Sequence, residues 1–154
     1  MTVVLHWKKN NTEAVLPEYM SELASGMDLY ACLNEGNGYS EGKIEIKPGQ
    51  TVVIPTGLSV AIPDGYEMQI RPRSGLSAKT KIRLPNSPGT IDADYRGEIG
   101  IIIENTSSDS WFTIRHGDRI AQAVVAPVER AVNKEVYSLN DTSRGEGGYG
   151  STGM

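Results

Sequence analysis

The chain has a single cysteine, Cys32, among 154 residues, and it has no long apolar run. One cysteine excludes an intrachain disulfide framework and indicates a reducing compartment. No apolar stretch reaches the length that crosses a bilayer, and residues 1–10 lack the apolar core and cleavage site of a secretory signal. These features predict a soluble cytoplasmic protein that does not bind a membrane.

Positive charge is also scarce, because 15 lysines and arginines face 19 aspartates and glutamates, for a net charge of −4. Without a long basic run, a general nucleic-acid binder is not expected. There is no Walker phosphate loop. Gly145, Gly147 and Gly150 match G-x-G-x-x-G, but without the strand before and the helix after that a dinucleotide site requires. His6 and His116 have no partners at metal-site spacing and are interpreted as structural.

What the chain does have is 17 glycines and 8 prolines, which are scattered between short apolar runs. This punctuation is typical of an all-β domain. The predicted strands cover residues 3–7, 43–46, 51–55, 58–62, 67–70, 80–84, 98–104, 111–114, 120–125 and 132–136. That number of strands at this spacing favours a jelly-roll-like double sheet with one short helix at 74–80.

Two finer predictions concern particular strands. The Lys-Pro-Gly-Gln sequence at 47–50 is a turn signal, and it predicts a hairpin between strands 43–46 and 51–55. The isoleucine-rich run at 98–104 predicts a strand that is buried on both faces.

Residues 141–154 differ in kind from the rest, since they contain five glycines and one aromatic residue. Such a segment cannot bury enough apolar surface to fold alone. It is either a floppy terminus or a flexible arm that grips a phosphorylated, ring-bearing ligand through Arg144, Tyr149, Ser151 and Thr152. We therefore divide the chain into a β domain, 1–140, and a C-terminal arm, 141–154.

The segment 71–83 holds five basic residues and no acidic one, in a chain that is acidic overall. Ser74 and Gly75 open its helical stretch, where free backbone N–H groups favour an anion. The segment is thus either a phosphate site that includes Arg73 or the solvated basic face of a surface helix.

Residues 86–97 contain a proline and two glycines among short residues, which predicts a tight hairpin whose backbone could read a base edge. Asp92 and Asp94 within it are candidate acids, or simply turn-forming aspartates. Two weaker signals are Asp28, which follows a glycine in an apolar stretch, and the segment 117–122. There, Asp118 and Arg119 could pair at a strand start, with Gln122 facing solvent.

These elements, in this order and spacing, resemble the five motifs of the trimeric dUTP pyrophosphatases (dUTPases). The matching sequences are S-G-M-D-L-Y-A at 25–31, R-S-G-L-S-A-K at 73–79, N-S-P-G-T-I-D-A-D-Y-R-G at 86–97, G-D-R-I-A-Q at 117–122 and R-G-E-G-G-Y-G-S-T-G at 144–153. Tyr149 departs from the phenylalanine most frequent in the family, and residues 38–42 lie in a stretch that is longer than the family minimum.

The resemblance implies a β-clip fold and hydrolysis of dUTP to dUMP and pyrophosphate, which keeps uracil out of DNA and supplies dUMP for thymidylate synthesis. It implies a homotrimer with shared active sites. Asp92 would be the general base for water attack on the α-phosphorus. Mg²⁺ would bridge the phosphates, with Asp28 holding its water shell.

The substrate-binding residues implied by the resemblance are Arg73, Ser74, Gly75, Asn86, Gly89, Thr90, Ile91, Tyr95, Gly100, Gln122, Arg144, Tyr149, Gly150, Ser151 and Thr152. The hairpin from 86 to 100 would read uracil and exclude the thymine methyl. Tyr95 would pack beneath the deoxyribose, and Tyr149 would stack on the uracil as the arm closes.

Two alternatives remain open at this point. A dCTP deaminase shares the fold, but its catalytic glutamate is expected at the position of Ile102, and Glu104 lies two residues beyond. A non-catalytic binding protein on the same scaffold is disfavoured by the intact Asp28, Asp92 and Arg144.

Overall fold

The computed structural model describes residues 2–149 and shows an all-β chain with one short helix, as the sequence predicts. The elements in chain order are β1 (His6–Lys9), β2 (Glu18–Tyr19), β3 (Met27–Tyr30), a 3₁₀ turn (Glu35–Asn37), β4 (Lys43–Ile46), β5 (Thr51–Pro55), β6 (Leu58–Ala61), β7 (Tyr66–Arg71), α1 (Ser74–Lys79), β8 (Ile82–Arg83), β9 (Gly89–Ile91), β10 (Gly100–Asn105), β11 (Phe112–Arg115) and β12 (Arg119–Pro127). Among these residues, no helix is long and apolar enough to span a membrane.

The strands form antiparallel sheets whose neighbours are rarely consecutive in sequence. The largest sheet has the order β2-β3-β12-β7-β9, a second has the order β5-β10-β8, and β1-β6 and β11-β4 form two further pairs. The nine-residue β12 lies at the centre of the five-stranded sheet and pairs with both β3 and β7. Residues distant in sequence therefore meet beside β12.

The predicted hairpin between β4 and β5 is wrong, although both strands are present at the predicted residues. The turn forms, with the Gln50 N–H donating to the Lys47 carbonyl at 3.1 Å and Gly49 at a φ of 72°. The two strands then diverge, because β4 pairs with β11 and β5 pairs with β10. A local turn signal does not determine which strands share a ladder.

The β10 strand also differs from its prediction. Ile101 and Ile103 are fully buried, but Ile102 is only half-buried and lies opposite Val53, which is 59% exposed. In the single chain, the prediction of a strand buried on both faces is therefore wrong, since none of residues 2–149 fully covers the outer face at Val53 and Ile102. The inward residues join the main core, together with side chains such as Leu29, Ile54 and Met68.

The segment that follows β12 leaves the body of the protein. The predicted strand at 132–136 does not form, because none of the strands in the described part of the chain pairs with it. Every residue from 127 to 146 is exposed, including the apolar Val132 and Leu139. We call residues 128–140 the connecting segment.

Candidate active site

The first group of functional residues surrounds the carboxylate of Asp28 on β3. Arg73 Nε donates to Asp28 Oδ1 at 3.0 Å, and Arg119 NH1 donates to Asp28 Oδ2 at 3.2 Å. The Asp28 side chain is 10% exposed, whereas those of Arg73 and Arg119 are 27% and 42% exposed. One buried carboxylate thus holds two guanidinium groups that keep part of their surface open to a ligand.

These residues border a cavity of about 240 Å³, whose lining includes Gly26, Asp28, Arg73, Ser74, Gly75, Arg119 and Gln122. Helix α1 begins at Ser74, and no side chain caps its first turn, so backbone N–H groups there have no side-chain acceptor. The Gln122 amide donates to the Pro72 carbonyl at 2.9 Å, which anchors the residue just before Arg73. The cavity therefore combines two cations with uncapped backbone donors, which suits phosphate oxygens.

The other basic residues of 71–83 do not all belong to this cavity. Arg71 donates through Nε and NH2 to Gln69 Oε1. Arg83 NH1 donates to the carbonyls of Ser77 in α1, Thr80 just after it and Ile82 in β8, of which the Ile82 carbonyl is nearest at 2.7 Å. Only Arg73 of the five basic residues lines the cavity.

The second group of residues lies on β9 and the turn after it. Asp92 is exposed and follows Ile91, which pairs with Met68 of β7. It borders a separate cavity of about 650 Å³, lined by Asp64, Gly65, Tyr66, Glu67, Asp92, Ala93, Asp94, Arg96, Val128 and Arg130. The carboxylate of the proposed base is thus open to a partner or a ligand.

The segment from Asn86 to Gly100 is not a simple hairpin, which corrects the prediction. Strand β9 pairs with β7, whereas β10, which begins at Gly100, pairs with β5 in another sheet. Strand β9 is consequently an edge strand, with Gly89 and Thr90 opposite Ile70 and Gln69. Its outer edge offers unpaired backbone groups of the kind needed to read a base.

Several features fix Tyr95, which is 43% exposed. Its N–H donates to the Asp92 carbonyl at 3.1 Å, and its hydroxyl donates to the Glu98 carbonyl at 2.9 Å. A Cβ at Gly97 would lie only 2.3 Å from the Tyr95 hydroxyl oxygen, so the ring rests directly on the glycine backbone. Only glycine at position 97 leaves room for this packing.

Within one chain, the two groups lie far apart. Asp28, Gln122 and Arg71 are aligned across β3, β12 and β7, while Asp92 lies level with Glu67 near the other end of β7. Asp92 is therefore displaced from Asp28 by four residues along the strand direction, which is roughly 13 Å. It is also displaced by three strand spacings across the sheet, which is roughly 14 Å. A base must come within hydrogen-bond reach of the water that it activates. One subunit therefore does not bring Asp92 to the Asp28 cavity.

The described part of the C-terminal arm, residues 141–149, lines neither cavity in the single chain. Arg144 Nε donates to the Gly147 carbonyl at 2.8 Å, and Tyr149 is fully exposed with a φ of 48°. The predicted substrate-binding residues Gly150, Ser151 and Thr152 lie outside the described residues.

The sequence analysis missed Arg119 as a site residue and considered that it could pair with Asp118. Instead, Asp118 Oδ2 accepts from the Arg115 N–H at 2.8 Å, which leaves Arg119 free to reach Asp28. His116 is structural, as predicted, because its Nδ1 accepts from the Leu33 N–H at 3.0 Å. The one signal for Arg119 was its place in a motif that also contains Gln122.

The protein side chains alone do not form an inner ligand set for a divalent metal. Between residues 2 and 149, no three His, Cys, Asp or Glu side chains cluster together. Both oxygens of Asp28 already accept from arginines, and those charges disfavour direct contact with a dication. A carboxylate nevertheless has about four acceptor sites, so Asp28 retains the capacity to accept from metal-bound water. The donor set thus fits an outer-shell role.

Comparison with known sequences shows which family the chain belongs to. A family model described as dUTPase matches residues 12–153. The chain is 52% identical over 153 residues to the deoxyuridine 5'-triphosphate nucleotidohydrolase of Syntrophotalea carbinolica, with 99% of each chain covered.

Two solved structures are similar over most of the chain. A mutant dUTPase of Staphylococcus bacteriophage 80alpha with dUpNHpp has a TM-score of 0.83 and 27% identity, covering 98% of this chain and 99% of that chain. A mutant dUTPase from phage phi11 of S. aureus, whose structure reveals the coordination of a structural Mg(II) ion, has a TM-score of 0.76 and 25% identity, covering 90% and 99%.

The fold and the composition of the Asp28 cavity are those of a nucleotide hydrolase with the jelly-roll β-clip architecture. The chain belongs to the dUTPase family. It is a dUTP diphosphatase that hydrolyses dUTP to dUMP, which decides against the deaminase and the non-catalytic alternatives.

Proposed function

We propose that dUTP hydrolysis takes place at sites shared between the subunits of a homotrimer. The observation that carries this proposal is the separation of Asp92 from the Asp28 cavity along β7 and across the sheet. A water molecule poised by Asp92 must attack a phosphorus whose oxygens the cavity holds. A second copy of the chain supplies the missing group.

The exposed apolar surface of the single chain supports the same arrangement. Val132 and Leu139 of the connecting segment are 94% and 85% exposed, and Val53 and Ile102 form an uncovered apolar pair on the β5-β10-β8 sheet. Exposed apolar groups of this kind, when they lie together, mark protein–protein contacts. Subunit association would bury the sheet face, and the connecting segment would carry the arm to a neighbouring site.

In the cavity, the phosphate chain would be bound by Arg73, the Ser74 and Gly75 amides and Gln122, together with Arg119. Asp28 holds both guanidinium groups, so their charges are oriented before the substrate arrives. Preorganised donors of this kind stabilise charge that develops on phosphate oxygens in the transition state. Their alignment is the main catalytic contribution of this group.

Asp92 would act as the general base on the attacking water. Its side chain is exposed and borders a cavity, so a water molecule has access to the carboxylate. The proton would pass from that water to the carboxylate while the water oxygen attacks the α-phosphorus, and pyrophosphate would leave.

Uracil would be read by the edge of β9. Gly89, Thr90 and Ile91 present backbone groups there, and a Cβ at Gly89 would lie 3.1 Å from the Asn86 amide nitrogen. Tyr95 would pack beneath the deoxyribose and exclude a 2′-hydroxyl, and Gly100 would help to shape the base pocket. A buried polar mismatch can discriminate about 10⁴-fold, far more than one methyl group can.

Asp28 would hold Mg²⁺ through the water shell of the ion rather than directly. When bound, the ion supplies charge neutralisation for the phosphates. The C-terminal arm would close over the site, with Arg144, Ser151 and Thr152 on the terminal phosphate, Gly150 allowing close approach and Tyr149 stacking on uracil. Cys32 is a buried free thiol, which supports a reducing, cytoplasmic setting.

The role of the base is tested with Asp92→Asn, for which turnover should fall by about 10²–10⁴-fold while dUTP still binds. Asp94→Asn is the matched control, because Asp94 borders the same cavity but has no proposed role. Pyrophosphate release and binding of a non-hydrolysable analogue would be measured for both variants. Turnover near the wild-type value in Asp92→Asn would assign the base to another group.

A further inference from the structure

We infer that Glu98 is a positioning residue for Tyr95, and that through it the turn between β5 and β6 controls selection against ribonucleotides. The inference rests on the proposed role of Tyr95 beneath the deoxyribose. Glu98 itself is half-buried and lies two residues before β10. It connects the Tyr95 ring to a rigid part of the fold.

The connection has two hydrogen bonds in series. The Tyr95 hydroxyl donates to the backbone carbonyl of Glu98 at 2.9 Å. The carboxylate of Glu98 in turn accepts from the Gly57 N–H, which donates to Oε1 at 2.8 Å. The position of the ring therefore depends on residue 98, and residue 98 is held by residue 57.

The β5–β6 turn is itself fixed. Gly57 has a φ of 68°, and a Cβ there would lie 2.9 Å from Ala14 Cβ and 3.0 Å from Cys32 Sγ. Ile99, the residue after Glu98, is also hydrogen-bonded to this turn. The Thr56 hydroxyl donates to the Ile99 carbonyl at 2.6 Å, and the Ile99 N–H donates to the Leu58 carbonyl at 2.8 Å. Glu98 is thus attached to a support that cannot easily move.

Without the Glu98 carboxylate, the Gly57 N–H loses its partner and the backbone at 98 gains freedom. The carbonyl that accepts from Tyr95 then shifts, and the ring no longer keeps a fixed distance from the sugar. A 2′-hydroxyl is excluded by contact, so a looser ring admits it more readily. Discrimination between dUTP and UTP should weaken more than turnover of dUTP itself.

The test compares kcat/KM for dUTP with kcat/KM for UTP in Glu98→Ala, Glu98→Gln and Tyr95→Phe. If Glu98 has a merely structural role, its replacement lowers the amount of folded enzyme and reduces both kcat/KM values by the same factor. The ratio of the two values is then unchanged. Glu98→Ala should lower the ratio about fivefold to tenfold, the scale of one lost hydrogen bond. Glu98→Gln keeps an Oε1 acceptor for Gly57 and should restore the ratio to within about twofold of wild type.

Tyr95→Phe removes only the hydroxyl, and with it the hydrogen bond to the Glu98 carbonyl. It should therefore lower the ratio of the two kcat/KM values without destabilising the fold. Combining it with Glu98→Ala should give less than the product of the single effects, because both changes break one chain of contacts. Tyr95→Ala separates the two hypotheses. If it abolishes discrimination while Glu98→Ala keeps the wild-type ratio, the positioning inference is refuted and the role of Tyr95 stands. If Tyr95→Ala itself leaves the ratio unchanged, the proposed role of Tyr95 fails, and the inference with it.

Discussion

Replacing Asp28 by asparagine tests how far the two arginines depend on one carboxylate. Asp28→Asn preserves the size of the side chain but removes the charge that pairs with Arg73 at 3.0 Å and with Arg119 at 3.2 Å. One of its two polar atoms also becomes a donor, which faces a guanidinium donor. Both arginines are left beside a neutral group that can accept at only one atom.

The expected loss of stability lies between two limits. Removing one partner of a fully buried ion pair costs about 3–5 kcal/mol, and removing an exposed pair costs about 0–1 kcal/mol. Asp28 is 7% exposed, but the stranded arginines are partly open to water and can be rehydrated. We therefore expect a loss of about 2 kcal/mol, or a fall in the thermal midpoint of about 4–8 °C for a chain of this length.

The measurement is urea unfolding at fixed protein concentration, with Asp109→Asn as the control. Asp109 Oδ1 accepts from Ser107 and Ser110, an exposed arrangement that an asparagine oxygen can reproduce. The control should unfold at the same denaturant concentration as wild type. If Asp28→Asn does so as well, the reasoning that Asp28 organises the two arginines is refuted.

Three further predictions follow from other parts of the structure. Deleting residues 142–154 should leave the thermal midpoint nearly unchanged, because residues 142–146 are exposed. The deletion should nevertheless largely abolish pyrophosphate release. Equal protease cleavage before Arg144 with and without a non-hydrolysable dUTP analogue would contradict closure of the arm. Gly26→Ala should raise KM about tenfold with little change in urea unfolding. The new alanine Cβ would lie 2.3 Å from the end of the flexible Gln122 side chain and would displace that side chain. An unchanged KM would show that Gln122 does not belong to the site. Burial raises the pKa of the Cys32 thiol, with smaller contributions from Glu98 and Glu13, so less thiolate is present at any given pH. Alkylation of Cys32 by iodoacetamide should therefore require a more alkaline pH in the folded chain than in the unfolded chain. Identical pH profiles for the two states would contradict this.

Much of the fold could be predicted from sequence because many strands and turns have local sequence signals. The segments 43–46 and 51–55 were predicted to the residue, since β-branched residues and a Pro-Gly turn delimit them. Their partners could not be predicted, because pairing depends on contacts with β11 and β10, which lie about 70 and about 50 residues further along the chain. The short strands β2 and β9 also escaped detection, as two or three residues carry no periodic pattern.

For the site, the motifs predicted residue identities but not their geometry. Asp28, Arg73, Ser74, Gly75 and Gln122 do line one cavity. The bond from Arg119 to Asp28 could not be foreseen, because Asp118 stands beside Arg119 in sequence and offered it a nearer carboxylate. The separation of Asp92 from this cavity emerged only from the register of β3, β12, β7 and β9.

Mixed trimers test most directly whether each site takes Asp92 from one subunit and Arg73 from another. Two inactive chains, Asp92→Asn and Arg73→Gln, would be refolded separately and together in equal amounts, and pyrophosphate release from dUTP would be measured. With random assembly into closed trimers, about one quarter of all sites combine an intact Asp92 with an intact Arg73 from the correct neighbour. The account therefore predicts recovery of about one quarter of wild-type activity in the whole co-refolded population, which is about one third in isolated mixed trimers. Activity no greater than the sum of the two separate variants would contradict it, since a site built from one subunit can never recover both groups.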